Sequence, residues 1–170
     1  MKKILFLFAY LGIVGSAIPC SAEQDGIAKE YYPNGQVKAE ASFKDGRQEG
    51  IAKHYYENGV LYQESNFKNG QLEGISKSYY DTGTLKAKGR FKNGRLEGIR
   101  KQYYADGTLE SEKPFKGDEL DGIAKHYYES GKLKAEDSHK DGQLDGVSKE
   151  YYESGTLAAE ATFRNDQLYC

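Results

Sequence analysis

The stretch Gly50 to Glu73, GIAKHYYENGVLYQESNFKNGQLE, decides the architecture. It carries two turn signals. Asn58-Gly59 stands between Tyr55-Tyr56 and Leu61, and Asn69-Gly70 stands between Phe67 and Leu72. Asn-Gly between short apolar and aromatic runs is the strongest short-range hairpin signal, because both residues tolerate positive φ. The stretch reads as two antiparallel strands closed by two tight turns. Outward from it, the same 24 residues recur without insertion or deletion. Glycines stand at 26, 50, 74, 98, 122 and 146, and a tyrosine pair follows each at a fixed offset, from Tyr31-Tyr32 to Tyr151-Tyr152. A repeat this strict is one supersecondary unit stacked along an axis. The expected fold is all-β: a linear array of six 24-residue β-hairpin repeats (26–49, 50–73, 74–97, 98–121, 122–145, 146–169) forming one elongated antiparallel meander sheet. Two hairpin strands per copy give about twelve strands. Copy four has Gly117-Asp118 and copy six has Asn165-Asp166 at the second turn, so those turns are expected to differ locally.

Two-residue loops at both turns would put Tyr56 opposite Leu61, Lys53 opposite Glu64 and Phe67 opposite Leu72. One face then collects the second tyrosine of each pair, the following Leu or Val, small residues such as Ala39, Ala87 and Ala135, and the Phe and Leu around the second turn. The repeat glycines fall on that face, opposite Ala41, Ser65 and Gly89. The opposite face collects the Ile or Val after each glycine, a Lys column, the first tyrosine and the Glu of the second strand. An apolar face backed by a mixed one suits an antiparallel sheet wet on one side. Small residues between larger rims suggest a groove. The Lys column (Lys29, Lys53, Lys101, Lys125, Lys149) pairs across the hairpin with Glu40, Glu64, Glu112, Glu136 and Glu160, whereas Lys77 meets Lys88.

Residues 1–22 stand outside the array. Lys2-Lys3, an apolar run from Ile4 to Ile18 and Cys20-Ser21-Ala22 read as a secretory signal peptide cut after Ala22. The apolar run is short for a membrane span of about 20 residues. Pro19 fits poorly before a lipidated cysteine, so anchoring at Cys20 is the less favoured reading. The protein is expected to be exported to the periplasm or the extracellular space, leaving Cys170 as a lone terminal thiol. Without Lys2 and Lys3 the 24 basic residues fall to 22 against 26 acidic, a net of −4. A mildly acidic array has no electrostatic footprint for nucleic acid or for strong binding to anionic lipid.

Catalytic and metal-binding patterns are missing from the sequence: no nucleophile elbow, phosphate loop, His-Glu-x-x-His or zinc-spaced cysteine pair. His54 and His126 occupy one column three copies apart, at about 29 Å on strand spacing, too far to share an ion. His139 replaces a column Phe. Glu49, Glu73, Glu97, Asp121 and Asp145 recur beside the repeat glycines at about 9.5 Å, which reads as a solvated acidic ladder. We therefore expect no enzyme, no catalytic or metal residues and no cofactor. The candidate binding feature is the first tyrosine of each pair: Tyr31, Tyr55, Tyr79, Tyr103, Tyr127 and Tyr151. Amphipathic rings in a row on the wetter face suit protein contact.

The pattern G-x-x-x-x-Y-Y-x-N-G-x-L followed by F-K-N-G-x-L-x-G resembles the MORN-repeat variant family, from Gly26 to Leu168. The chain lacks Trp, and Ala28, Ala52, Ser76, Arg100, Ala124 and Ser148 stand where that family often has an aromatic. The resemblance implies a hairpin array and an interaction role. Many bacterial members are labelled YwqK-type antitoxins, which implies a protein partner such as a toxin, and ordinary MORN repeats are linked to membranes and scaffolding. The expectation is an exported, non-enzymatic protein–protein interaction module. The alternative is a cell-envelope glycan or peptidoglycan binder that stacks sugars on the tyrosine row. A homodimer closing the apolar face is a further option.

Overall fold

The protein is described by a computed structural model over residues 25–169, and every regular element in it is a β-strand. The strands form one open antiparallel sheet of fifteen. Three of these, Gln71–Leu72, Glu119–Leu120 and Gln167–Leu168, are two-residue pieces after a second turn. After the second turns of copies one, three and five the chain instead runs straight into the next copy, as Arg47–Tyr55, Arg95–Tyr103 and Gln143–Tyr151. Apart from those pieces the sheet has the expected twelve strands in chain order.

The second turn is the two-residue hairpin that Asn-Gly demands. Lys68 pairs with Gln71, and Asn69 and Gly70 are both left-handed, at φ 52° and 80°. Gly117-Asp118 and Asn165-Asp166 keep the same left-handed pair. Their difference is an added bond: Asp118 accepts from the Leu96 N–H at 2.7 Å, and Asp166 from the Leu144 N–H at 2.7 Å.

The first turn departs from the two-residue expectation. The Gly59 N–H donates to the Tyr56 carbonyl and the Tyr56 N–H to the Val60 carbonyl, at 2.9 and 2.8 Å. The loop is therefore three residues, Glu57 to Gly59, and only Gly59 is left-handed, at φ 84°. This is a type I turn closed by a glycine bulge. Asn58 stays right-handed because its side-chain oxygen accepts the Val60 N–H at 3.0 Å. Thr82 holds the equivalent position in copy three, where a β-branched residue resists positive φ. Leu61 consequently pairs with Tyr55 rather than Tyr56, and a register shift falls between His54 and Tyr55. Beyond the shift, Lys53 faces Glu64 as expected.

A second correction lies at the repeat glycine. Gly50 pairs with Phe67, and Ala52 is the residue opposite both Ala41 and Ser65. Between Phe43↔Gln48 and Ala41↔Ala52 the incoming strand carries two extra residues. Gly50 absorbs them at φ 85°, and every repeat glycine has positive φ. Gly146 adds a steric reason, since a Cβ there would lie 2.8 Å from the Ser138 Cβ. Glycine is the residue that reaches this backbone without cost.

The corrected register builds a groove. Its floor is small: Ala52 is 2% exposed, Ala124 1% and Ser65 4%. Ser65 hydrogen-bonds Ser76 across the strands. Side chains this small are buried in a single layer only when taller neighbours flank them. The Phe and Leu of the second turns supply one rim, where Phe91 and Leu96 are both 7% exposed. The second tyrosines supply the other. Tyr62 packs edge-on to Tyr56 at 5.1 Å, and Lys86 and Lys134 lie over the rings of Tyr80 and Tyr128. The mixed face carries the isoleucines, as the alternation requires. Ile27, Ile51, Ile75, Ile99 and Ile123, on the face away from the groove, are 51–67% exposed.

Hydrogen bonds tie each copy to the next at both edges. The second tyrosine donates its phenol O–H to the first tyrosine's carbonyl one copy on: Tyr32 to Tyr55, Tyr56 to Tyr79, Tyr80 to Tyr103, Tyr104 to Tyr127 and Tyr128 to Tyr151, at 2.7–2.8 Å. At the other edge the Gly70 N–H donates to the Gln48 carbonyl, and the Gly94 N–H to the Leu72 carbonyl. The carboxylates read as a solvated ladder also work there. Glu49 accepts from the Asn69 N–H, Glu73 from Asn93, Glu97 from Gly117 and Asp145 from Asn165. They satisfy turn donors of the neighbouring copy, which spacing along the chain does not reveal.

Burial in such an array should be graded from centre to end. Phe91→Ala is expected to cost about 3 kcal/mol, the low end for a buried ring, and Phe163→Ala in the half-exposed last copy clearly less. Denaturant melts of the two variants check this, and equal losses would contradict a linear array.

Candidate interaction face

The face away from the groove carries three parallel rows, which we call the ladder face. In-register residues on neighbouring strands point to the same side, so the pairing assigns each row. The first row is Ile27, Ile51, Ile75, Ile99, Ile123 and Val147, opposite Ser42, Asn66, Arg90, Pro114, Ser138 and Thr162. The second is the Lys/Glu row. It closes as ion pairs at Lys29–Glu40, Lys101–Glu112, Lys125–Glu136 and Lys149–Glu160. Lys53 shares the register with Glu64 without closing to ion-pair distance. These pairs are partly exposed and worth ~0.2–1 kcal/mol each, so they serve register more than stability.

The third row is the candidate set of first tyrosines. Tyr31 is 57% exposed, and Tyr55, Tyr79, Tyr103, Tyr127 and Tyr151 are half-buried. The phenol of Tyr55 donates to Glu40 at 2.8 Å, that of Tyr127 to Glu112 at 3.3 Å and that of Tyr151 to Glu136 at 3.5 Å. Burial, followed by the bond to Glu40, pushes the Tyr55 phenol up to about 12. The same bond holds the Glu40 carboxyl below its ordinary value. Three of the six phenols are thus anchored to glutamates. Among the described residues Tyr79 and Tyr103 do not make this bond.

The repeat breaks on this face at one place. Lys88 stands in the column that holds Glu40, Glu64, Glu112, Glu136 and Glu160 in the other copies. Pairing puts Lys88 between Lys77 and Lys101 on adjacent strands. The first two of these follow from hairpin spacing. The third joins them only because the glycine shift displaces the next strand by two residues.

The groove face has its own departures. Arg100 and Lys113 pair across strands at floor positions that are small in most copies. Burial lowers the ionisation range of both, and Gln102 receives a bond from Arg100 at 3.3 Å. His54 and His126 stand six strands apart, which separates them as spacing required. His139 hydrogen-bonds the Asp137 carbonyl at 3.0 Å. Residues 1–22, on which the signal-peptide expectation falls, and Cys170 lie outside the described residues.

A family model for the MORN repeat variant matches the chain six times, over residues 24–45, 48–69, 72–93, 96–116, 120–141 and 144–165. The chain belongs to that family. Repeats of this kind are generally protein- or membrane-interaction modules. No curated protein compared with the chain matches it.

The two groove histidines give a pH test. Burial, the largest cause in each, holds both imidazoles below their ordinary value. A pKa lower in the folded than in the unfolded chain means the unfolded chain takes the proton first. The stability this represents is full above the unfolded value of about 6.5 and is lost as pH falls below it towards the lower folded value. Denaturant midpoints are expected to drop across that window, and the drop should shrink in a His54→Gln, His126→Gln variant.

Proposed function

We propose that the protein is a non-enzymatic, exported interaction module that captures a protein partner on its ladder face. The observation that carries this reading is the isoleucine row, left 51–67% exposed beside continuous charged and tyrosine rows. The isoleucines alternate along the row with Ser42, Asn66, Arg90, Pro114 and Ser138, so they offer regularly spaced apolar anchors in a polar field, a mix that suits protein contact. The rows repeat every two strands, about 9.5 Å, so the contact can extend along several copies. An antitoxin or immunity role is the finer form of the proposal and rests on family resemblance. Glycan binding is supported less well. Five of the six tyrosines are half-buried and three of their phenols are engaged by glutamates, which limits a stacking platform for sugars.

The test is a matched pair of triple variants scored by crosslinked pull-down from the envelope fraction and by melting midpoint. Tyr79, Tyr103 and Tyr127 changed together to Ser should abolish capture and keep the β signature in circular dichroism. Tyr80, Tyr104 and Tyr128 changed to Ser lose three bonds between copies and should lower the midpoint first, at about 1 kcal/mol per bond before lost packing is added. Unfolding by the first set and not by the second would overturn the face assignment. Retrieval of envelope polysaccharide in place of a protein would favour the glycan reading. Export is tested by intact mass: the mature chain should begin at Glu23, and retention of residues 1–22 or a lipid mass on Cys20 would contradict it.

A further inference from the structure

We infer that the centre of the ladder face is a receptor for a short acidic segment of the partner protein, with Lys88 at its middle. This rests on the ladder face being the contact face, and it specifies the chemistry of what docks there.

The charge row runs Lys29, Glu40, Lys53, Glu64 and Lys77 in alternation, and alternates again from Lys101 to Glu160. Between those stretches Lys77, Lys88 and Lys101 stand side by side on three adjacent strands. Like charges directly opposite on a sheet are destabilising. The other five copies avoid this arrangement by placing Glu in the Lys88 column, so copy three bears a folding cost the repeat shows how to remove. Among the described residues Lys77 and Lys88 close no ion pair. Tyr103 has Lys88 in the position where Tyr55, Tyr127 and Tyr151 have the glutamate they donate to. Three lysines therefore stand in register on adjacent strands, with Glu64 and Glu112 beside the outer two and no carboxylate beside Lys88. An acceptor supplied from outside completes the set.

Size and surroundings select the ligand. The three lysines span two strand spacings, about 9.6 Å, and Glu64 and Glu112 close the row at either end. A polyphosphate chain running along the row would meet those carboxylates, and the −4 balance after signal removal gives nucleic acid or an anionic bilayer no wider field. Two or three carboxylates fit between the brackets. Ile75 and Ile99 flank the cluster on one side, both more than half exposed, so the segment that fits is acidic and apolar together. A second copy of this chain is a poor occupant. The cluster lies at the middle of the row, and a two-fold dimer centred there would set lysines against lysines.

Lys88→Glu is the decisive variant, because it restores the alternation and should leave the melting midpoint unchanged or raised. The probe is a fluorescein-labelled peptide of alternating glutamate and leucine, read by anisotropy against the full mature chain. We expect the wild type to bind it, binding to weaken as salt rises, and Lys88→Glu to weaken it by roughly tenfold or more. Lys29→Gln, at the far end of the row, should leave binding unchanged. Equal binding by Lys88→Glu and wild type would overturn the inference. So would a duplex DNA or a phosphatidylserine vesicle bound as well as the peptide, with the same dependence on Lys88. The partner pull-down separates this from the broader reading. Capture retained by Lys88→Glu but lost with the Tyr79, Tyr103 and Tyr127 set rejects the lysine receptor and keeps the face. Capture retained by both rejects the face itself.

Discussion

Each copy is held to the next by the phenol of its second tyrosine, donated to a backbone carbonyl one copy further on. The rest of the structure depends on that contact and on its counterpart at the opposite edge. A single-layer sheet has no second layer to pack against. No large side chain among the described residues is fully buried, and the buried residues of the groove floor are alanine and serine. Hydrophobic burial is thus thinner here than in a two-layer domain. Coupling between copies falls to directed hydrogen bonds: tyrosine to carbonyl at the first turn, turn amide to carbonyl and carboxylate at the second. A carbonyl near the sheet edge left without its donor would lose a bond that water replaces only in part.

The same arrangement divides labour between the two faces. The groove face uses its bulk on stability: Phe and Leu at one rim, tyrosine at the other, small residues between. The ladder face holds five isoleucines that stay more than half exposed. An antiparallel sheet usually turns apolar side chains inward and polar ones out. Here one isoleucine or valine per copy is placed outward six times over, in a position where alternation alone would allow a polar residue. The lysine cluster sits within that field, at the one place where the charge pattern departs from itself. Function in a repeat protein is best sought where a copy disobeys the repeat without local benefit, because packing between neighbours gives no reason for the exception.

Much of this was legible in the residues. The period, the hairpin unit, the second turn and the Lys53–Glu64 register all follow from turn chemistry and two-residue alternation. The groove could be anticipated from small residues between large ones. The slip at the first turn was harder to see. Asn58-Gly59 is compatible with either a two-residue or a three-residue loop, and the choice depends on where the Asn58 side chain bonds. Thr82 and Ser154 at the same position were the available clue, since neither favours positive φ as asparagine does. The role of Glu49 and its equivalents was invisible for a different reason. Its partner, the Asn69 N–H, is 20 residues away and becomes adjacent only when hairpins stack.

By itself the sequence determined that the chain is an array of hairpins, how many copies it has, and which residues recur at each position. Those properties are local: they depend on turn residues and on the alternation of side chains along a strand. The tertiary structure decided the offset between hairpins. The two extra residues absorbed at each repeat glycine set which columns meet across the seam between copies. That offset brings Lys101 beside Lys88, puts Ala52 against Ala41, and aligns each tyrosine phenol with its carbonyl. No local rule supplies it, because a bulge at glycine is fixed by the contacts it makes possible with the neighbouring copy.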